Sequence, residues 1–176
     1  MLRKKSSLLF LFLTCLTLSQ SVAQTVEQPK LVIGIVVDQM RYDYIYRYWD
    51  NYSEYGFKRL VNEGYFCRNV NYTYVPTYTA PGHASIYTGT TPSMHGIIGN
   101  NWFDRTRNKT IYCTADYAYK TVGSTSSAGQ MSPHNMLATT VGDELRLSNN
   151  KKSKVIGIAL KDRGAILPAG HTANAA

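Results

Sequence analysis

An apolar run that ends in a carboxylate constrains the fold more than any other feature of this chain. Residues 31–37 read LVIGIVV, and Asp38 follows directly. Such a run is typical of a strand that is buried on both faces of a parallel sheet. A second run of this kind covers residues 154–160. The order strand, helices, strand predicts an α/β fold with a mostly parallel sheet flanked by helices, in which functional residues collect at the carboxyl ends of the strands.

The spacing of apolar residues predicts several elements between these two runs. We expect helices over residues 41–49, 56–62, 84–88 and 133–147, short strands over residues 65–74, and a hairpin within residues 102–119. Gly64 and Gly89 are expected to end the second and third helices. Two core strands leave a doubly wound sheet incomplete. We therefore expect residues 24–176 to be the N-terminal portion of a longer domain.

The N-terminus has the three parts of a secretory signal. Cations at residues 3–5 precede an apolar run over residues 8–18, and small residues follow around Ala23. The run is too short for a comfortable membrane span. We expect a signal peptide over residues 1–23 that is cleaved after export, and no stable insertion into a membrane.

Charge and cysteine usage limit the class of partner. The formal net charge is +8, and residues 3–5 contribute part of it. The remaining mild excess of cations favours anionic substrates, but the cations are dispersed, which argues against nucleic-acid binding. Export to an oxidising compartment would allow Cys67 and Cys113 to pair, although two cysteines alone leave that question open.

Residues 76–89, with the sequence PTYTAPGHASIYTG, place hydroxyl groups directly ahead of a predicted helix. A helix start offers unpaired backbone N–H groups and the positive end of a dipole, which together hold anions. A threonine at such a position can attack phosphorus if a metal ion lowers the pKa of its hydroxyl. Thr77, Thr79 and Ser85 are the candidates, and Asp38 is the candidate metal ligand. For Thr79 and for Asp38, the alternative role is to cap a helix.

Three segments in order carry a family resemblance. VVDQMR, TYTAPGHASIYTG and HGIIGNNW, followed by the Lys-Asp-Arg of residues 161–163, resemble the alkaline phosphatase superfamily. More narrowly, the chain resembles the bacterial, periplasmic, phosphate-irrepressible alkaline phosphatases with a threonine nucleophile. These enzymes are relatives of the type I phosphodiesterases and nucleotide pyrophosphatases. The resemblance implies a periplasmic or secreted bacterial protein.

The resemblance assigns roles to five residues. Thr79, immediately before Ala-Pro-Gly-His, is the implied nucleophile and a zinc ligand, and Asp38 is implied to bind one of two zinc ions. Asn100 is implied to donate to a phosphoryl oxygen, although a turn residue is the alternative reading. Lys161 and Arg163 are implied to clamp the phosphate, and a spacing of two places both on one side of an extended segment. The family's remaining zinc ligands are absent from these 176 residues, and we assign no histidine to metal.

The implied activity is zinc-dependent hydrolysis of small phosphate monoesters through a phosphothreonine intermediate. The pair of Lys161 and Arg163 favours monoesters, because the phosphodiesterase relatives generally lack it. Two alternatives stay open. One is a phosphodiesterase or nucleotide pyrophosphatase on the same scaffold, and the other is a non-catalytic exported protein that binds carbohydrate through its tyrosine-rich segment. We expect these 176 residues alone to have little or no activity.

Overall fold

The computed structural model describes residues 29–176. The expected signal peptide lies outside the described residues. By its contacts the chain forms two compact units, Met1–Ile35 and Val36–Ala176. In the first unit, residues 29–35 have no regular secondary structure.

The second unit carries the regular elements of the described chain. In order these are helices α1 (Asp43–Arg47), α2 (Phe57–Glu63), α3 (Thr79–Thr88) and α4 (Pro92–His95), strands β1 (Asn101–Asp104) and β2 (Lys109–Tyr112), and helices α5 (Val141–Ser148) and α6 (Asp162–Ala169). Short 3-10 helices lie at Trp49–Asn51 and Ser127–Gly129. Across residues 29–176, no helix combines the length and apolar character needed to cross a membrane.

The hairpin is where the sequence predicted it. Strands β1 and β2 pair antiparallel, with Asn101 opposite Tyr112 and Asp104 opposite Lys109. The Asp104 carboxylate accepts the N–H groups of Thr106 and Arg107, and this closes the turn. Two of the predicted helices, α1 and α2, are also confirmed within a few residues.

The predicted strands outside the hairpin are wrong for this structure. Residues 31–37 are irregular, and Ile33 and Val37 are 71% and 51% exposed. Residues 154–160 make a single parallel bridge, between Ile156 and Ala175, and residues 65–74 are irregular. A strand needs a neighbour to satisfy its backbone N–H and C=O groups. Among the described residues, the hairpin is the one sheet that supplies such pairing.

Two helix starts differ from prediction. Helix α3 begins at Thr79 rather than at residue 84, because Pro81 occupies its first turn, where the missing N–H of proline costs nothing. Helix α5 begins at Val141 rather than at residue 133. Thr140 and Asp143 form a reciprocal capping box there, and this satisfies two groups at the helix start. Gly89 ends α3 in the left-handed conformation, as expected.

Helix α3 lies at the centre of the packing. Its residues from Ala80 to Ser85 are buried, and it packs mainly against α6. The core cluster joins residues of α3 and α6 to loop residues, with Trp102 and Tyr112 packed against it; its members are Ala80, Ala84, Ile97, Cys113, Met136 and Leu167. Cys113 is buried, Cys67 is exposed, and both are free thiols. The N-terminus of α3 is therefore held in place by the core cluster.

A buried carboxylate ties α5 to the end of α6. Asp143, which is fully buried, accepts hydrogen bonds at Oδ2 from the N–H groups of Thr140 (2.9 Å) and His171 (3.1 Å), and at Oδ1 from the N–H of Thr172 (2.7 Å). Gly170 has a φ of 81°, and a Cβ there would collide with Asp143 and Thr140. The close approach of the chain at residue 170 thus requires glycine.

Candidate active site

Thr79 and Asp38 lie together although 41 residues separate them in sequence. The Thr79 hydroxyl donates to Asp38 Oδ2 at 3.2 Å. Asp38 is exposed and Thr79 is half-buried. Gln39, directly after Asp38, has a φ of 61°, and residues 38–39 form a turn. A carboxylate and a hydroxyl are thereby presented side by side at the start of α3.

These two oxygens fit one side of a metal site. Carboxylate oxygen is a usual zinc ligand, but catalytic zinc takes three protein ligands in most sites. Residues 29–176 contain no cluster of three or more His, Cys, Asp or Glu side chains that could hold an ion. Asp38 and Thr79 therefore match the chemistry of a zinc site without completing one.

Asn100 binds the start of the same helix. Its side-chain Oδ1 accepts the N–H of Ala80, the residue after Thr79, at 2.9 Å. Because a backbone N–H can only donate, the amide oxygen must face Ala80, and the two hydrogens of the amide lie on Nδ2. The backbone carbonyl of Asn100 accepts the N–H of Cys113 at 3.0 Å. Asn100 is thus held at both its side chain and its backbone.

The start of α3 offers fewer N–H groups than its sequence suggested. The N–H of Ala80 is bound by Asn100, Pro81 has none, and the N–H of Gly82 donates to the Tyr78 carbonyl at 2.9 Å. This leaves the N–H of Thr79 for an incoming anion. Side chains rather than the helix terminus must therefore supply most of the positive charge at this site.

A chain of buried and half-buried hydrogen bonds supports the first turn of α3, and no periodic pattern in the sequence predicted it. Ile97 N–H donates to His95 Nδ1 at 3.2 Å, so the imidazole proton lies on Nε2, which bonds Ser85 Oγ at 2.9 Å. Ser85 Oγ lies 2.7 Å from Tyr74 Oη, and Tyr74 Oη donates to the Pro81 carbonyl at 3.1 Å. Burial lowers the pKa of His95, which favours the neutral imidazole that these hydrogen bonds require.

Lys161 and Arg163 lie at the start of α6, and the prediction that they share one side of an extended segment is wrong. Lys161 is the extended N-cap of α6, whereas Arg163 is already in its first turn. Asp162 explains the difference, because its Oδ1 accepts the N–H of Arg163 at 2.7 Å and its charge is favourable at a helix N-terminus. Lys161 is exposed, whereas the Arg163 side chain is 17% exposed.

A second hydrogen-bond network holds Arg163. Tyr112 Oη donates to Asp162 Oδ1 at 2.6 Å and accepts from Arg163 Nη1 at 2.9 Å, while Thr114 Oγ1 donates to Asp162 Oδ2 at 3.1 Å. Burial raises the pKa of Tyr112, and its bond to Asp162 raises it further. Burial by itself would lower the pKa of Arg163, but Tyr112, Cys113 and Asp162 together raise it. Arg163 is therefore a fixed cation.

The fold brings most of the predicted site residues together. Asp38, Thr79 and Asn100 meet at the start of α3 through direct hydrogen bonds. Arg163 is linked to them because α6 packs on α3 and because its partner Tyr112 pairs with Asn101 in the hairpin. Lys161 is exposed beside Asp162. Tyr112, Asp162 and Thr114 were missed by sequence reasoning, since no motif marks residues that act through another side chain.

Comparison with known proteins finds relatives over most of this chain. Residues 32–172 match the family model described as type I phosphodiesterase / nucleotide pyrophosphatase. The chain is 59% identical over 153 residues to alkaline phosphatase PhoV of Synechococcus elongatus, which covers 87% of the chain and 28% of that protein. It is 53% identical over 172 residues to alkaline phosphatase PafA of Elizabethkingia meningoseptica, which covers 97% of the chain and 32% of that protein.

Two solved structures show that the similarity extends from the sequence to the fold. The crystal structure of wild-type alkaline phosphatase PafA superposes with a TM-score of 0.83 at 56% identity, over 85% of this chain and 29% of that one. A PafA variant in which a threonine is replaced by serine, and an asparagine, a lysine and an arginine by alanine, gives the same TM-score at 54% identity, again over 85% and 29% of the two chains. The fold-class prediction is confirmed, and the chain spans less than a third of the length of these relatives.

The family model covers most of the chain, including the segments that hold Asp38, Thr79, Asn100, Lys161 and Arg163. The predicted resemblance is thereby confirmed. The chain belongs to the type I phosphodiesterase / nucleotide pyrophosphatase family.

Proposed function

We propose that this chain is the N-terminal part of an exported, zinc-dependent alkaline phosphatase that hydrolyses small phosphate monoesters through a phosphothreonine at Thr79. The observation that carries the proposal is the 3.2 Å hydrogen bond between the Thr79 hydroxyl and Asp38 at the start of α3. The relatives PhoV and PafA, which are named alkaline phosphatases, support it. Because the chain spans only part of the length of these relatives, we propose that it belongs to a longer protein.

Asp38 and Thr79, with further ligands from the rest of the protein, are the residues that would hold zinc. Of the two ions we propose, one would lower the pKa of the threonine hydroxyl and both would offset negative charge on the phosphoryl group.

The reaction places Thr79 Oγ1 in line with the ester oxygen of the substrate. A bond forms between Thr79 Oγ1 and phosphorus as the bond from phosphorus to the leaving alcohol breaks, and the alcohol departs with a proton. Water then attacks the phosphothreonine, which releases inorganic phosphate and restores the Thr79 hydroxyl. Because phosphoryl transfer depends mainly on positioning and charge stabilisation, the groups around Thr79 carry most of the catalysis.

Asn100, Lys161 and Arg163 stabilise the non-bridging oxygens. Asn100 Nδ2 has the donors for this task because Oδ1 is bound to Ala80. Arg163 supplies a fixed guanidinium and Lys161 a mobile point charge. A monoester carries one more negative charge than a diester, so two cations favour the monoester. The variant PafA structure, in which a threonine, an asparagine, a lysine and an arginine were replaced together, involves the same four residue types.

The test is a comparison of an aryl phosphate with an aryl phosphodiester, using the full-length protein with zinc. The proposal expects a higher kcat/KM for the monoester and a radiolabelled phosphothreonine after acid quenching. Thr79→Ala should abolish both turnover and labelling, while Thr77→Ala, which removes an exposed hydroxyl two residues away, should leave them in place. Labelling that survives Thr79→Ala would refute the assignment of the nucleophile.

The family model favours a second candidate, because its description names phosphodiesterases and nucleotide pyrophosphatases. A higher kcat/KM for the diester in the same assay would select it. Absence of turnover on both esters, together with carbohydrate binding, would select the non-catalytic alternative.

Export to the bacterial periplasm or medium rests on the signal at residues 1–23. N-terminal sequencing of the secreted protein is expected to give Gln24 as the first residue. Recovery of the intact N-terminus from the cytoplasm would contradict the proposal.

A further inference from the structure

The Tyr112 hydroxyl both donates and accepts a hydrogen bond, and the proposed reaction does not explain either bond. A tyrosine hydroxyl has one hydrogen, and a carboxylate can only accept, so the hydrogen must point to Asp162 Oδ1 at 2.6 Å. The oxygen of the same hydroxyl accepts from Arg163 Nη1 at 2.9 Å. Both bonds involve charged groups, which makes them stronger than bonds between neutral groups.

The ring of Tyr112 is itself fixed. Tyr112 ends strand β2, pairs with Asn101 across the hairpin, and packs against the core cluster. The next residue, Cys113, donates its N–H to the carbonyl of Asn100 at 3.0 Å. The hydroxyl that binds Arg163 therefore stands on the short hairpin that directly follows Asn100.

Asp162 completes the arrangement. Its two oxygens accept from Tyr112 and Thr114, and it precedes Arg163 in α6. A free arginine side chain samples many rotamers, and ordering it on substrate binding costs free energy. A guanidinium that is already bound at Nη1 has lost that freedom before the substrate arrives.

We propose that Tyr112 is a positioning residue that fixes the Arg163 guanidinium relative to Asn100 and so supports the preference for phosphate monoesters over diesters. This inference rests on the proposed phosphatase function. Tyr112 acts through Arg163 and does not touch the phosphoryl group.

Tyr112→Phe in the full-length protein tests the inference, because it removes the hydroxyl and keeps the ring. We expect kcat/KM for the aryl phosphate to fall roughly tenfold or more, the scale on which a hydrogen bond to a charged group acts. The aryl phosphodiester should change far less. In an Arg163→Ala background, Tyr112→Phe should have no further effect on the monoester, since the group that it positions is gone.

Tyr117→Phe is the matched control. It removes the same atom from a residue that is 77% exposed, and it should leave kcat/KM unchanged for both substrates. Thermal unfolding of each variant checks that the fold is retained. If Tyr112→Phe cannot be obtained folded, Thr114→Val gives the same test one contact away, through Asp162 Oδ2.

Two results would overturn the inference. One is an equal loss on monoester and diester, and the other is a monoester loss that persists undiminished in the Arg163→Ala background. If the wild-type protein hydrolyses neither ester, the proposed function fails, and calorimetric binding of inorganic phosphate then tests Tyr112 by itself. Weaker phosphate binding by Tyr112→Phe would support the positioning, and unchanged binding would overturn it.

Discussion

Asp143→Asn is expected to destabilise the protein strongly although it changes one atom. The carboxylate is fully buried and accepts three backbone N–H groups, from Thr140, His171 and Thr172. An amide has one oxygen, so in either orientation its NH2 group faces at least one of these donors. A buried donor left without an acceptor costs about 1–3 kcal/mol, and bonds to a charged acceptor are worth more than neutral ones. We therefore expect a loss of about 2–4 kcal/mol in the free energy of unfolding.

Urea denaturation of the full-length protein measures this loss. Asp50→Asn is the matched control, since it makes the same change at an exposed carboxylate, and it should shift the urea midpoint little. If Asp143→Asn and Asp50→Asn shifted the midpoint equally, the link between α5 and the end of α6 would not contribute as described.

The same carboxylate predicts a dependence of stability on pH. Burial would raise the pKa of Asp143, but the N–H groups of Thr140, Thr172 and His171 outweigh burial and lower it. A carboxylate with a lowered pKa stabilises the fold fully above its unfolded pKa of about 3.9, and that contribution is lost as the pH falls through the folded value. Asp143→Asn should abolish this part of the acid dependence.

Three further predictions follow from the site. The wild-type protein should lose stability on acidification below about pH 6.5, because a buried neutral histidine with a lowered pKa takes up a proton on unfolding, and His95→Gln should make this loss smaller. Urea midpoints measured between about pH 5 and pH 7 check this, and the same pH dependence in the variant and the wild type would contradict it. Lys161→Ala and Arg163→Ala should each lower kcat/KM for an aryl phosphate far more than for an aryl phosphodiester, and equal losses would undercut the phosphate clamp. Residues 24–176 alone should show little or no zinc-dependent turnover of an aryl phosphate, and robust turnover would show that Asp38 and Thr79 need no ligand from outside this segment.

The candidate site residues could be chosen from the sequence because they lie in short segments that resemble the motifs of a known family. Asp38 follows an apolar run, and Thr79 precedes Ala-Pro-Gly-His, so both positions can be read without knowing the fold. Their contact at 3.2 Å agrees with the expectation that a carboxylate and a hydroxyl converge. The roles of these residues in catalysis stay predictions until turnover is measured.

The strands that were predicted wrongly depend on pairing partners that are distant in sequence. Residues 31–37 have the composition of a buried strand, but composition does not supply the neighbour that pairs with it. The start of α6 was missed for a local reason, since Gly164 and Pro168 argue against a helix, while the carboxylate of Asp162 in the first turn favours one. Tyr112 was not selected from the sequence, because the partner of its hydroxyl lies 50 residues away.

The first turn of α3 has a consequence for how such a protein changes over time. Asn100 and Pro81 together remove two of the backbone donors that a helix end would otherwise present, so under the proposed function a phosphate would be bound chiefly by side chains. A codon change leaves a backbone N–H in place unless it introduces proline, whereas it readily replaces an asparagine, a lysine or an arginine. Substrate preference on this scaffold can therefore diverge by single substitutions at the rim of the site, while the buried scaffold beneath it stays the same.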